Sequence, residues 1–249
     1  MAESALTIDG ITVSFDGFKA VDGVSMVIED GELRVLIGAN GAGKTTLMDL
    51  ISGKTKSTDG TVYLFDEDIT NKQEFEIARA GIGRKFQIPS VFRDLTVREN
   101  LSVAATPSPN VSRNLGFGLP ADARDKLGEI IELTALGDVL SKRAGDLSHG
   151  QVQWLELGMI IVQNARVILL DEPTAGMTQG ETRKTSEIIN RLKGQHTILV
   201  VEHDMSFVRE IAEKITVMHL GKVLAEGPIA DIEANAAVRA AYLGKGGIH

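Results

Sequence analysis

Apolar and polar positions along this chain fall into short blocks of two different periods. "ALTIDGITVSF" and "GVSMVIEDGEL" alternate with period two and are broken by polar turns, which predicts an N-terminal β-layer. "LRVLIGA" is apolar without a break, as a strand covered on both faces should be. A helix is expected from near Lys44, and "GTVYLFD" returns to strand character. Across 88–146 no strong strand is found. Helical pieces around "TVRENLSVAA" and "DARDKLGEIIELTAL" are joined there by "TPSPNVSRNLGFGLP", rich in Pro, Asn, Ser and Gly. After Gly150 a buried helix is expected, with Val152, Leu155 and Met159 at helical spacing and Trp154 in the core. "RVILLDEP" and "HTILVVEHD" then read as strands, each followed by a helix, over 178–193 and from Met205. "TVMHLGKVLAEG" reads as a hairpin turning at Gly221, and the tail as helical.

Strands alternating with helices imply an α/β fold with a mainly parallel core sheet. The expected partition is one domain over 1–249. Within it, 1–87 forms the antiparallel β-subdomain and the first part of the core, and 88–146 an inserted α-helical subdomain. The rest of the core follows over 147–220, and the end of the hairpin with the last helices over 221–249.

Composition narrows the function classes. A formal net charge of −8 argues against broad binding to nucleic acid or to an anionic membrane surface. The absence of cysteine rules out a disulfide framework and a thiolate metal site. No apolar run approaches the roughly 20 residues needed to span a bilayer. The first residues lack the basic and apolar regions of a signal peptide. A membrane role is therefore expected to run through a partner.

"GANGAGKTT" matches the phosphate-loop pattern G-x-x-x-x-G-K-[ST] through Gly38, Gly43, Lys44 and Thr45. It follows an apolar strand and opens a helix, the setting that the chemistry requires. Gly41 and Gly43 let the backbone curl, so that N–H groups from Asn40, Ala42 and Thr46 as well can face phosphate oxygens. The helix N-terminus adds partial positive charge. Lys44 would neutralise the β- and γ-phosphates of ATP, and the Thr45 hydroxyl would ligate Mg²⁺. Asp171 and Glu172 end a second buried strand, where ligands bind in open α/β sheets. Asp171 suits Mg²⁺, and Glu172 suits the attacking water as its base.

"DLSHGQVQWLEL" joins a polar loop to the apolar helix. Ser148 alone would serve as N-cap, which leaves His149 and Gly150 to explain. The order of "GANGAGKTT", "KFQ", "LSHGQ", "VILLDEP" and "VEHD" resembles the nucleotide-binding subunits of ATP-binding cassette (ABC) transporters, over nearly the whole chain. The resemblance implies the ABC ATPase fold, with a P-loop NTPase core. It also implies that Ser148, Gly150 and Gln151 meet the γ-phosphate held by the other subunit of a head-to-tail dimer. On that view they form an anion site left open in the single chain. Gln87 resembles the Q-loop glutamine that reaches Mg²⁺ and the attacking water. His203 resembles the switch histidine on the γ-phosphate. Phe15, or in second place Phe18, resembles the aromatic that stacks on adenine.

Two positions depart from the family pattern. His149 stands where glycine is usual, so its imidazole must point away from the nucleotide or add a contact. Thr178 stands where "TAGMT" should have an aspartate, which puts the usual coupling through that loop in doubt.

Within the family the chain resembles ATPases of branched-chain amino acid-type importers and, more narrowly, the urea-transport branch. "GIGRKFQIPSVFRDLTVREN", "DEPTAGMT" and the closing "AAYLG" carry that likeness. It implies a second ATPase subunit, membrane permeases, an external binding protein and a place on the cytoplasmic face of the membrane. Val91 and Phe92 are expected as apolar anchors of a groove for the permease, with plain core as the alternative. Cassettes of exporters or lipid extractors share every catalytic motif. A DNA-repair ATPase would need coiled-coil or DNA-binding insertions, which this chain lacks, and a small P-loop kinase would leave "LSHGQ" unexplained.

Overall fold

The computed structural model describes residues 3–85, 90–105 and 121–243. They divide into two units. The first comprises Met1–Ile82, Arg166–Pro173 and Leu192–His249; the second comprises Gly83–Ala165 and Thr174–Arg191.

The first unit carries two sheets. Strands β1 (Ser4–Phe15) and β2 (Phe18–Glu29) form an antiparallel hairpin, and its turn at Asp16 and Gly17 has positive φ at both residues. That is the geometry which matches the twist of hairpin strands. Their alternation puts Ile8, Ile11, Val13, Val24, Met26 and Ile28 inside. Strand β4 (Asp59–Leu64) pairs with β1, and β5 (Glu67–Asp68) extends the layer. Between the two strand sets come β3 (Leu33–Gly38), wholly buried, and helix α1 (Lys44–Ile51). Helix α2 (Glu74–Ala80) follows, and strand β6 (Ile82–Lys85) begins at the last residue of this segment and runs into the second unit; neither is announced by the hydrophobic pattern. Helix α2 presents one buried residue, Ile77, too few to show a period.

The core sheet contains β7 (Val167–Asp171), β8 (Thr197–Val201), β9 (Lys214–His219) and β10 (Lys222–Gly227) in the order β10-β9-β3-β8-β7. Strands β9, β3, β8 and β7 run parallel, as the continuous apolar runs predict, and β10 returns antiparallel through the turn at Leu220–Gly221. Buried Arg34 ties this sheet to the antiparallel layer. Its guanidinium bonds Glu226 on β10 at 2.6 Å and the Val27 carbonyl at 2.9 Å.

In the second unit, α3 (Val97–Ala104) and α4 (Ala121–Thr134) pack on α5 (His149–Val162). Gly158 permits the close approach: a methyl there would lie 3.2 Å from side-chain atoms of both Leu101 and Ile130. Helix α5 is buried from Leu155 through Val162, Glu156 included, and the Glu156 carboxylate accepts the Ser90 N–H at 3.0 Å. Residues 149–162 group with the inserted helices, because α5 supplies the apolar surface those helices cover. Helix α6 (Gln179–Leu192) follows the second strand as anticipated. Helix α7 (Met205–Ile211) is capped by Asp204, and α8 (Ile229–Ala234) and α9 (Ala236–Leu243) form the tail. Gln87 and the segment 106–120 lie outside the described residues.

Candidate functional site

Parallel pairing lines up the carboxyl ends of three strands. Leu36 of β3 pairs with Val201 of β8, and Val201 with Asp171 of β7. The phosphate loop, Asp171–Glu172 and His203 therefore leave the sheet side by side, all within the first unit.

Around the loop, Gly41 and Gly43 take positive φ, 79° and 104°. The Ala42 N–H donates to the Ala39 carbonyl, and the Leu47 N–H to that of Gly43. Helix α1 has no side-chain cap and no acidic residue in its first turn, which leaves its positive end uncompensated. The fit is tight from behind. A methyl at Gly38 would stand 2.6 Å from the Met218 carbonyl oxygen, and one at Gly43 2.6 Å from that of Ala20. Gly221 donates its N–H to the Ala42 carbonyl at 3.0 Å and accepts from Asp22 at 2.9 Å. Ala20 and Gly221 thus support the loop, a role no local signal in the sequence reveals.

Lys44 is buried, and its ammonium donates to the carbonyls of Gly38 at 2.7 Å and Ala39 at 3.2 Å. Burial lowers its pKa, opposed by the negative charges of Glu172 and Asp171. Thr45 and Asn40 are exposed beside it. The Thr45 hydroxyl and the Asp171 carboxylate are hard oxygen donors of the kind Mg²⁺ accepts, with phosphate oxygens and water completing its shell.

Glu172 adopts φ 46°, the left-handed region, with its N–H bonded to the Val201 carbonyl at 3.0 Å. Its Oε1 lies 3.5 Å from Nδ1 of His203, whose imidazole is exposed. His203 is held from behind by its own N–H, donated to buried Glu202 at 3.1 Å. A carboxylate in a strained backbone position at the mouth of a sheet is a common mark of a reacting group. Phe15 and Phe18 face each other across the β1–β2 turn, 51% and 69% exposed, so the structure makes both available and does not separate them.

The second unit holds the remaining candidates. Ser148 caps α5, forming a capping box with Gln151: its hydroxyl accepts the Gln151 N–H at 3.3 Å, and its own N–H donates to the Gln151 amide oxygen at 3.1 Å. The expected open anion site at Ser148 and Gly150 is not open. Glu181 of the same chain fills it, its Oε1 accepting from the Ser148 hydroxyl at 3.0 Å and the Gly150 N–H at 3.2 Å. His149 turns toward the loop after β7 and bonds the Ala175 carbonyl at 3.0 Å. Thr178 caps α6 and forms a second box with Glu181 Oε2. Trp154 is half-buried and donates its indole N–H to Thr185 at 3.0 Å. Phe92 is 53% exposed and Val91 half-buried. Among the described residues no helix is long and apolar enough to cross a membrane.

Comparison with known proteins identifies the family. A family model described as ABC transporter matches residues 21–175, and one described as branched-chain amino acid ATP-binding cassette transporter matches 222–248. The chain is 35% identical to the high-affinity branched-chain amino acid transport ATP-binding protein BraF of Pseudomonas aeruginosa, over 98% of this chain and 100% of that one. It is 35% identical to LivG of Escherichia coli, a protein of the same description, with the same coverage. Among solved structures it resembles the ADP conformation of MJ1267, an ATP-binding cassette of an ABC transporter. That match has 33% identity and a TM-score of 0.83 over 97% of this chain and 99% of that one. The chain belongs to the ABC transporter family and is one of its ATP-hydrolysing cassettes.

Proposed function

We propose that this chain is the ATPase subunit of an importer for a small polar solute of the branched-chain amino acid type. The observation that carries this is its similarity to BraF and LivG along their whole length, through the C-terminal segment matched at 222–248. The urea or short-chain amide branch is the second reading. It rests on the stretches around 81–100 and 171–178 and the closing "AAYLG".

In this reading the backbone from Gly38 to Thr46 cradles the phosphates and Lys44 bonds the β- and γ-phosphates. Thr45 and Asp171, with Gln87, would hold Mg²⁺, which when bound would neutralise phosphate charge. Glu172 takes the proton of the attacking water, while His203 bonds the γ-phosphate and steadies Glu172. Phe15, or Phe18, stacks on adenine. Ser148, Gly150 and Gln151 complete the pocket of a second ATPase, identical or sister, in a head-to-tail pair. ATP favours the closed pair because its phosphates bond both halves; cleavage removes that differential contact. Exposed Phe92 and its neighbours then pass the motion to a permease at the cytoplasmic face of the membrane.

Reconstitution with the neighbouring permeases, followed by ATP turnover with each candidate solute-loaded binding protein, tests the reading. Stimulation by a branched-chain amino acid form supports the first version and stimulation by a urea form the second. Turnover indifferent to every loaded binding protein would overturn import itself.

A further inference from the structure

Glu181 is the acceptor at both ends of a short bridge. Its Oε2 takes the N–H and hydroxyl of Thr178, both at 2.9 Å, while Oε1 takes the Ser148 hydroxyl and the Gly150 N–H. The two oxygens have different tasks. Oε2 satisfies the start of α6, as any capping box does. Oε1 gains nothing for its own helix and lies at the positive end of α5, on the donors that the proposed function assigns to a γ-phosphate. The approach is close: a methyl at Gly150 would stand 2.5 Å from Oε1, so any side chain there would have to push the carboxylate aside.

We propose, resting on that assignment of Ser148 and Gly150, that Glu181 is a positioning residue of this loop. In the nucleotide-free chain its carboxylate holds the place that the partner's triphosphate takes on closure. Closure is then an exchange of one anion for another. The loop is kept in its phosphate-receiving shape beforehand, and an incoming phosphate must displace Oε1 while Oε2 remains in its cap.

The exchange also accounts for Thr178. Its hydroxyl donates to Oε2, whereas an aspartate at that position would set a second negative charge against Glu181. The same movement reaches the loop after Glu172. Residues 174–178 are joined to the loop at Ser148–Gly150 by the Glu181 bridge and by His149 on the Ala175 carbonyl. Phosphate arrival would release the first tie and leave the second.

The test uses the full, ¹⁵N-labelled, nucleotide-free chain titrated with inorganic phosphate, following the amide signals of Gly150 and Gly43. Gly43 reports the phosphate loop and serves as internal reference. With Glu181→Ala, Gly150 should respond with a midpoint at least about tenfold lower in phosphate than in the unsubstituted chain, while Gly43 keeps its midpoint. Glu181→Gln, which preserves shape without charge, should fall between the two. Equal Gly150 midpoints in all three chains would overturn the placeholder role, and a lowered melting temperature alone would leave only the helix cap. If Gly43 responds and Gly150 responds in none of them, the anion assignment of Ser148 and Gly150 falls, and the proposal with it.

Discussion

Oε1 of Glu172 stands 3.5 Å from Nδ1 of His203, and each residue arrives from a different strand of the core sheet. Strands β7 and β8 pair in parallel with Asp171 opposite Val201, so the residues that follow them emerge as neighbours. A carboxylate and an imidazole thereby meet at the end of the sheet from which the phosphate loop also leaves.

Replacement of the carboxylate should remove proton abstraction and keep the nucleotide cradle. Glu172→Gln is expected to bind ATP with near-normal affinity and hydrolyse it about 10²–10⁴-fold more slowly. Single-turnover hydrolysis beside a direct ATP-binding titration separates the two effects. Unimpaired hydrolysis in that variant would remove Glu172 from the role of base.

Lys44 should take up protons when nucleotide binds. Burial lowers its pKa in the free chain, so its charged form is disfavoured by the fold. That cost is fully present below the folded pKa and vanishes as pH rises through the folded value toward the unfolded one. Phosphates add negative charge and should raise the pKa again. Calorimetry at about pH 9, below the ordinary lysine value, in buffers of different ionisation enthalpy, should show proton uptake with ATP. Lys44→Arg should show none, because guanidinium stays charged.

The Thr178–Glu181 cap should be worth about 1 kcal/mol at neutral pH, the usual scale for an N-cap. Hydrogen bonds from Thr178 hold the Glu181 carboxyl below the usual carboxylate range; burial opposes them, and lesser bonds from Ser148 and Gly150 add to them. A depressed acid stabilises the fold above its unfolded pKa, and the contribution is lost as pH falls through the folded value. Thr178→Ala should therefore lower stability at pH 7, and the gap from the unsubstituted chain should close in acid. Denaturant melts across pH check this; a gap independent of pH would mean the carboxylate is not its source.

Gly43→Ala should cripple nucleotide binding by at least about 100-fold, because the loop must move away from Ala20 to admit the methyl. Two effects combine: a φ of 104°, which side chains rarely adopt, and a backbone oxygen at 2.6 Å from the added carbon. Gly41→Ala meets strain alone, with nothing within 4 Å of the added carbon, and should lose less. Fluorescent-nucleotide titration of both variants ranks them, and equal losses would show that the contact with Ala20 is immaterial.

Much of the first unit was legible because its signals are local. Unbroken apolar runs marked β3, β7 and β8, and the phosphate-loop pattern marked the start of α1. Glycine marked the β9–β10 turn. Helix α2 and strand β6 carried too few buried residues to announce themselves. Gln87, read from its neighbours "KFQ", lies outside the described residues.

The sequence by itself determined what depends on residues close along the chain: the apolar strands, the cap at Ser148, and the curled loop that leads to Lys44. Only the tertiary structure decided which strand ends stand together, that Ala20 and Gly221 brace the phosphate loop, and that α5 belongs with the inserted helices. It also decided that Glu181 fills the site expected to be open. The physical reason is range. A cap or turn is satisfied within a few residues by backbone geometry, whereas Glu181 reaches Ser148 across 33 positions, and that contact exists only once α5 and α6 have packed.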